Sequence, residues 1–220
     1  MLRYEFRTGV TKQKHSKKLW VLVPMITLFG GGYVFMNLNA PNLNLSFDKP
    51  ADATARMLTS SKPNLAENRL YLPQINVDIA IKGDDQNEPL GSDAQQRNVR
   101  AGDPKQGGNF VVVANRFSMG MSPFQTRTNS PLYHMGELQP GDQIYVDFEG
   151  VRYAYEVTKN YPATAGSANI EDASRQKQLT LMACESGNPD QVRQIIEAKP
   201  VGTIAWVNGV AKLKTSDDQL

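Results

Sequence analysis

Cys184 is the only cysteine in this 220-residue chain. It closes an apolar run, residues 178–184 (QLTLMAC), and Arg193 opens the next one, residues 193–201 (RQIIEAKPV). Two strands joined by the loop 185–192 would bring the guanidinium back toward the thiol. A fixed cation there favours the thiolate and can stabilise an oxyanion, so the pair suits nucleophilic attack on a carbonyl. The same residues also fit a plainer account. Cys184 is then a small buried apolar side chain, and Arg193 forms a surface ion pair with Glu185 or Asp190 that is worth little. The residues alone leave both open.

The rest of the chemical inventory is short. A single cysteine excludes an intramolecular disulfide and a Cys-based structural zinc site. Two histidines, His15 and His134, exclude a His-rich metal site, and any Cys-His or Ser-His-Asp mechanism must use one of them or none. The acidic pairs Asp84-Asp85 and Glu171-Asp172 lie in polar stretches and read as solvated faces, not as a glycosidase dyad or a calcium site. No Gly-rich phosphate loop precedes a helix, so nucleotide binding has no support. No cofactor and no metal are expected.

The elements that must position Cys184 are short strands. Residues 68–81 (NRLYLPQINVDIAI) alternate apolar and polar, and Pro73 and Asn76 split them into two strands or an edge. Residues 84–109 are polar and Gly-rich, and predict a long surface connection. Residues 110–114 (FVVVA) are continuously apolar, as in a strand buried on both faces. Residues 143–148 (QIYVDF) and 151–158 (VRYAYEVT) flank Glu149-Gly150 as a hairpin. Residues 203–213 (TIAWVNGVAKL) give a final strand with a turn at Asn208-Gly209. Seven or eight short strands, long loops and little helix predict an all-β, closed or nearly closed barrel.

Charge divides the chain. Residues 1–18 carry six Lys and Arg against Glu5 alone, +5, which leaves −3 for everything after, within a total of +2. Residues 19–38 (LWVLVPMITLFGGGYVFMNL) then run for 20 residues without a charge. At about 1.5 Å per residue this spans a hydrocarbon core of about 30 Å. The basic flank predicts a cytoplasmic amino terminus and a membrane, not nucleic acid, as the neighbour of the basic tail. A cleaved signal peptide competes with this reading, but its apolar core is shorter, about 7–15 residues, and residues 37–40 (NLNA) are a poor cleavage site. Pro24 and Gly30-Gly31-Gly32 weaken a helix less in a membrane than in water. The expected organisation is a cytoplasmic tail (1–18), a transmembrane helix (19–38), an extracytoplasmic tether (39–66) with a short helix near 53–58, a β-barrel domain (67–214) and a terminal tail (215–220).

With these segments in order, the sequence resembles the sortases, membrane-anchored cysteine transpeptidases of the bacterial cell surface with an eight-stranded β-barrel. Residues 70–81 (LYLPQINVDIAI) look like the family's L-x-I-P-x-I-x-V-x-x-P-I. Residues 107–114 (GGNFVVVA) look like the approach to the family's histidine strand. Residues 130–146 (SPLYHMGELQPGDQIYV) are similar to S-P-F-Y-x-L-x-x-L-x-x-G-D-x-I-x-V. Residues 179–184 (LTLMAC) stand where the family has L-T-L-x-T-C, and Arg193 falls at its arginine. The resemblance covers residues 67–207.

It implies that the Cys184 thiolate attacks a Leu-Pro-x-Thr-Gly-like sorting signal at its Thr–Gly bond. Arg193 would hold the oxyanion or the substrate backbone, and the acyl group would pass to a cell-wall or pilin amine. Two positions depart from the pattern. Asn115 occupies the family's histidine position in residues 113–117 (VANRF), and Ala183 replaces the threonine before the cysteine. Asparagine donates and accepts hydrogen bonds but cannot carry a proton near neutral pH. Losing general acid-base catalysis costs about 10²–10⁴ in rate, so turnover is expected to be impaired. The alternative is an inactive sortase-fold module that binds sorting-signal or pilin-like peptides. His134, in the family's short structural helix, is expected to be a structural or surface residue. Residues 159–177 are expected to wall the substrate groove, and residues 118–129 form a lid or a plain surface loop.

Overall fold

The computed structural model describes residues 17–43, 61–83, 90–164, 167–185 and 191–215. They fall into two compact units, Met1–Met36 and Asn37–Leu220. The first unit holds most of a single helix, α1 (Lys17–Asn39), with Pro24 inside it. Its apolar side chains, Ile26, Leu28 and Phe35 among them, are exposed. Leu22–Asn42 is long and apolar enough to cross a membrane by length and composition.

The second unit carries ten strands: β1 (Asn68–Leu72), β2 (Val77–Lys82), β3 (Ala94–Arg97), β4 (Gly102–Asp103), β5 (Gly107–Phe117), β6 (Gln143–Phe148), β7 (Val151–Pro162), β8 (Gln178–Glu185), β9 (Val192–Val207) and β10 (Val210–Thr215). Eight of them pair in a ring, β1-β2-β3-β5-β8-β9-β7-β6 and back to β1, with β4 and β10 appended outside it. This is the closed eight-stranded barrel that the resemblance implies. Closure leaves none of the eight with an unpaired edge.

Local sequence explains most of the boundaries. Pro73 opens a 3-10 turn between β1 and β2, and Asn76 leaves it in the left-handed region at φ 54°. Glu149-Gly150 (φ 48° and 78°) and Asn208-Gly209 (φ 54° and 80°) both take the positive φ that a tight two-residue hairpin needs. The final strand differs from expectation in one respect: β9 runs unbroken through residue 203 to Val207, and β10 returns after the turn.

One expectation is corrected outright. Within residues 84–109, read as a surface connection, the described part contributes β3 and β4, and Ala94, Gln95 and Gln96 are buried. β3 lies parallel to β2 and antiparallel to β5, completing the ring. The alternation rule looks for apolar residues at buried positions, and here glutamines hold them.

The run Phe110–Ala114 is buried on both faces, as its composition requires. Phe110, Val112 and Ala114 join Leu179, Leu181 and Ala183 in the barrel core. Val111 and Val113 point outward with Met182 and Cys184 into a second cluster, closed by Leu90 and Val192. The barrel wall also holds a buried ion pair. Arg152 Nε donates to Asp147 Oδ1 (2.6 Å) and Nη2 to Oδ2 (2.7 Å), both residues being about 1–2% exposed. Tyr71 donates to Asp147 Oδ2 at 3.1 Å, and the guanidinium lies over the Tyr71 and Trp206 rings.

Residues 118–129 are not a plain surface loop. They carry α2 (Pro123–Thr128), capped by Ser122, whose hydroxyl accepts from Gln125 N–H. The helix expected near residues 53–58, the basic tail up to residue 16 and the end of the terminal tail, 216–220, lie outside the described residues.

Candidate active site

β5 and β8 are parallel neighbours, and their register sets Asn115 directly opposite Cys184. With period-two alternation, Asn115 shares the outward face of Val111 and Val113. The two residues that the sequence singled out on separate strands are therefore adjacent on the outer wall of the barrel.

Bulges on both flanks of Cys184 shape its surroundings. On β9, Gln194 pairs with Ala183 but Val192 pairs with Cys184, so Arg193 is the extra residue. On β5, Asn115 pairs with Cys184 but Phe117 with Glu185, so Arg116 is skipped in the same way. Bulges re-aim side chains and gather beside active sites. Here both displaced arginines reach one carboxylate. Arg116 Nη1 lies 2.9 Å from Glu185 Oε1, and Arg193 Nε lies 3.2 Å from Glu185 Oε2. The sequence points to Glu185 only as a surface partner of Arg193, and its second arginine carries no signal there.

Cys184 is wholly buried, and so is Asn115. Leu90, itself 4% exposed, packs in the cluster that contains Cys184. Asn115 Nδ2 donates to the carbonyls of Leu90 (2.8 Å) and Gly91 (2.9 Å), and Asn115 Oδ1 is buried with no hydrogen-bond partner among the described residues. A short stretch of chain is thus latched over the thiol by the asparagine amide. Nothing in the spacing of residues 84–109 foretold this, because Leu90 is an isolated apolar residue in a polar stretch.

The other candidates fall as follows. Ala183 faces the barrel core, so its difference from threonine changes the core side of β8 and not the face of Cys184. His134 spends both ring nitrogens elsewhere: Nδ1 is 2.6 Å from Glu137 Oε1 and Nε2 is 3.1 Å from the Pro41 carbonyl. It borders an open groove of about 660 Å³ that also has Arg69, Asp78 and Arg127 on its walls, and Cys184, Asn115 and Arg193 are not among its lining residues. His15 lies outside the described residues.

The connection expected to wall a groove begins beside the site and ends far from it. Ala163 N–H donates to the Arg193 carbonyl (3.1 Å). Asn109 Nδ2 donates to the carbonyls of Ile170 and Asp172. Asn109 and Asn115 are six residues apart on β5, about 20 Å of strand, so the connection descends along the length of that strand. Among the described residues no three His, Cys, Asp or Glu side chains gather as a metal-binding set.

Comparison with known proteins bears on the domain as a whole. Residues 70–201 match the family model described as the Sortase domain. Among solved structures, sortase A of Listeria monocytogenes is 14% identical, with a TM-score of 0.50 over 69% of this chain and 92% of that one. Sortase E of Streptomyces avermitilis is 21% identical, with a TM-score of 0.49 over 64% of this chain and 90% of that one. At 14% identity the likeness to the Listeria structure speaks for the fold alone. No curated protein sequence matches significantly.

Proposed function

Because the chain belongs to the sortase family, we propose that it is a membrane-anchored transpeptidase of the cell surface, with Cys184 as nucleophile and a proton-transfer step weakened by Asn115. The amino terminus is cytoplasmic, α1 crosses the membrane once, and the barrel works outside. The observation that carries this reading is the register of Asn115 opposite Cys184, with Arg193 bulged on the neighbouring strand.

In this reading the Cys184 thiolate attacks the threonine carbonyl of a Leu-Pro-x-Thr-Gly-like signal. The C–N bond to glycine breaks, leaving a thioester and an amine that takes its proton from water. A second amine then attacks the thioester, loses a proton to solvent, and restores the thiolate. Arg193 stabilises the oxyanion of both tetrahedral intermediates, once it exchanges Glu185 for the substrate. Asn115 Oδ1 accepts a hydrogen bond from the amine without removing its proton. The wall along residues 159–177 selects the signal. Entry requires Leu90 to leave the Cys184 cluster, so acylation follows an opening of the latch.

A second reading draws on the same burial. With Cys184 covered, Asn115 tied to Leu90 and Gly91, and Arg193 held by Glu185, the fold can hold sorting-signal or pilin-like peptides without turning them over. Intact-mass measurement of the full chain, incubated with Leu-Pro-x-Thr-Gly peptides, separates the two. A thioester adduct that vanishes in Cys184→Ala supports the transpeptidase. Peptide affinity that survives Cys184→Ala, with no adduct, supports the binding module.

A further inference from the structure

The insertion between β5 and residue 130 carries an apolar surface that the proposed chemistry does not use. Met119, Met121 and Phe124 are 50%, 83% and 80% exposed. Between residues 118 and 129 the only charged side chain is Arg127, and there is no carboxylate.

The inner face of the same insertion is fully committed. Thr126 is 0% exposed, and its hydroxyl donates to Asn37 Oδ1 at 2.9 Å; Asn37 is equally buried. Arg127 Nη1 donates to the Leu43 carbonyl at 3.2 Å, and Ala40 and Pro41 are buried nearby. What α2 grips is therefore the end of the uncharged run of residues 19–38 and the chain just beyond it. Leu38 and Leu43, on this same stretch, remain exposed.

We propose that Met119, Met121 and Phe124 rest in the interfacial layer of the membrane that the apolar run crosses, giving the barrel a second lipid contact beside its anchor. This rests on the membrane-anchored reading above. Twenty residues at about 1.5 Å each fill a hydrocarbon core of about 30 Å, which sets Asn37 at its edge. The headgroup layer adds roughly 5–7 Å on each side. Phe124 is two residues from Thr126, whose hydroxyl touches Asn37, and two residues reach at most about 7 Å. Phe124 on α2, and Met119 and Met121 just before it, are thus held at interfacial depth by the Asn37–Thr126 bond. An aromatic ring and flexible thioethers on a segment without a carboxylate of its own suit that layer. Since β5 ends at Phe117, the contact also keeps the Asn115 end of the strand close to the lipid surface.

The test uses the full chain in phosphatidylcholine–phosphatidylglycerol vesicles, in a Cys184→Ala background. Phe124→Cys, Met121→Cys and, as an exposed control on β10, Val210→Cys each carry a bimane probe. Co-flotation with the vesicles checks the anchor by itself. The expected result is severalfold stronger quenching by shallow lipid nitroxides at residues 124 and 121 than at 210, together with shielding from aqueous iodide. Iodide quenching equal to the control, without lipid quenching, overturns the proposal. Shielding from both quenchers overturns it too, and assigns the surface to a second copy of the chain or another protein. Failure to float would instead remove the anchored reading on which the proposal stands.

Discussion

Asp147 and Asn115 are both buried polar groups in the barrel wall, but their surroundings have opposite character. Asp147 spends both carboxylate oxygens on Arg152 and receives Tyr71 as well, and the Arg152 guanidinium lies over two aromatic rings. Asn115 has its amide on two backbone carbonyls while its Oδ1 has no partner among the described residues, beside a buried thiol. A buried acceptor left unsatisfied costs about 1–3 kcal/mol. A saturated network stabilises and specifies the fold, whereas an unsatisfied buried group calls for an explanation of its own, a catalytic role among them.

The comparison can be broken from either side. The largest effect is expected for Cys184→Ala, which removes the nucleophile and so abolishes any acyl adduct, while leaving the barrel folded by circular dichroism. Next is Asn115→His, which restores a proton-carrying group opposite the thiol. It should raise transpeptidation by about 10²–10⁴ in steady-state assays. On the saturated side, Asp147→Ala takes the carboxylate away from a buried guanidinium and should cost about 3–5 kcal/mol in denaturant unfolding.

Tyr71 sharpens the contrast through pH. Burial, and then the Asp147 charge, push its hydroxyl up to about 12 from an ordinary 10.0. The folded state thus holds this proton more tightly than the unfolded chain. Its contribution is complete below about pH 10 and is lost as pH rises toward 12. Alkaline unfolding should therefore be shallower over that range in Tyr71→Phe than in the natural chain. The smallest effect is expected for Glu185→Gln, which releases the two bulged arginines. A surface pair is worth about 0–1 kcal/mol, so thioester formation should quicken by no more than about fivefold in single-turnover assays.

Much of the barrel was legible because apolar residues marked it. The FVVVA run announced a strand covered on both faces, and Glu149-Gly150 and Asn208-Gly209 announced their turns. β3 was not legible, since Gln95 and Gln96 occupy its buried positions and no apolar period points to them. The pairing of Asn115 with Cys184 was readable only through the resemblance, because a parallel register between strands 60 residues and more apart in sequence leaves no local trace. The latch by Leu90 and the shared grip of Glu185 on Arg116 and Arg193 arise from bulges and a chain crossing, which spacing does not encode. The grip of α2 on residues 37–43 was hidden for a similar reason: Thr126 and Asn37 carry no pattern until the fold sets them 2.9 Å apart.

The central claim is that Cys184 sits in a sortase site whose proton transfer is weakened by Asn115. The pH dependence of single-turnover acylation, natural chain against Asn115→His, tests it most directly. The account predicts slow acylation in the natural chain that rises through one thiol ionisation, and in Asn115→His a faster, bell-shaped profile with a second, imidazole limb. Equal rates and identical profiles for the two proteins would contradict it.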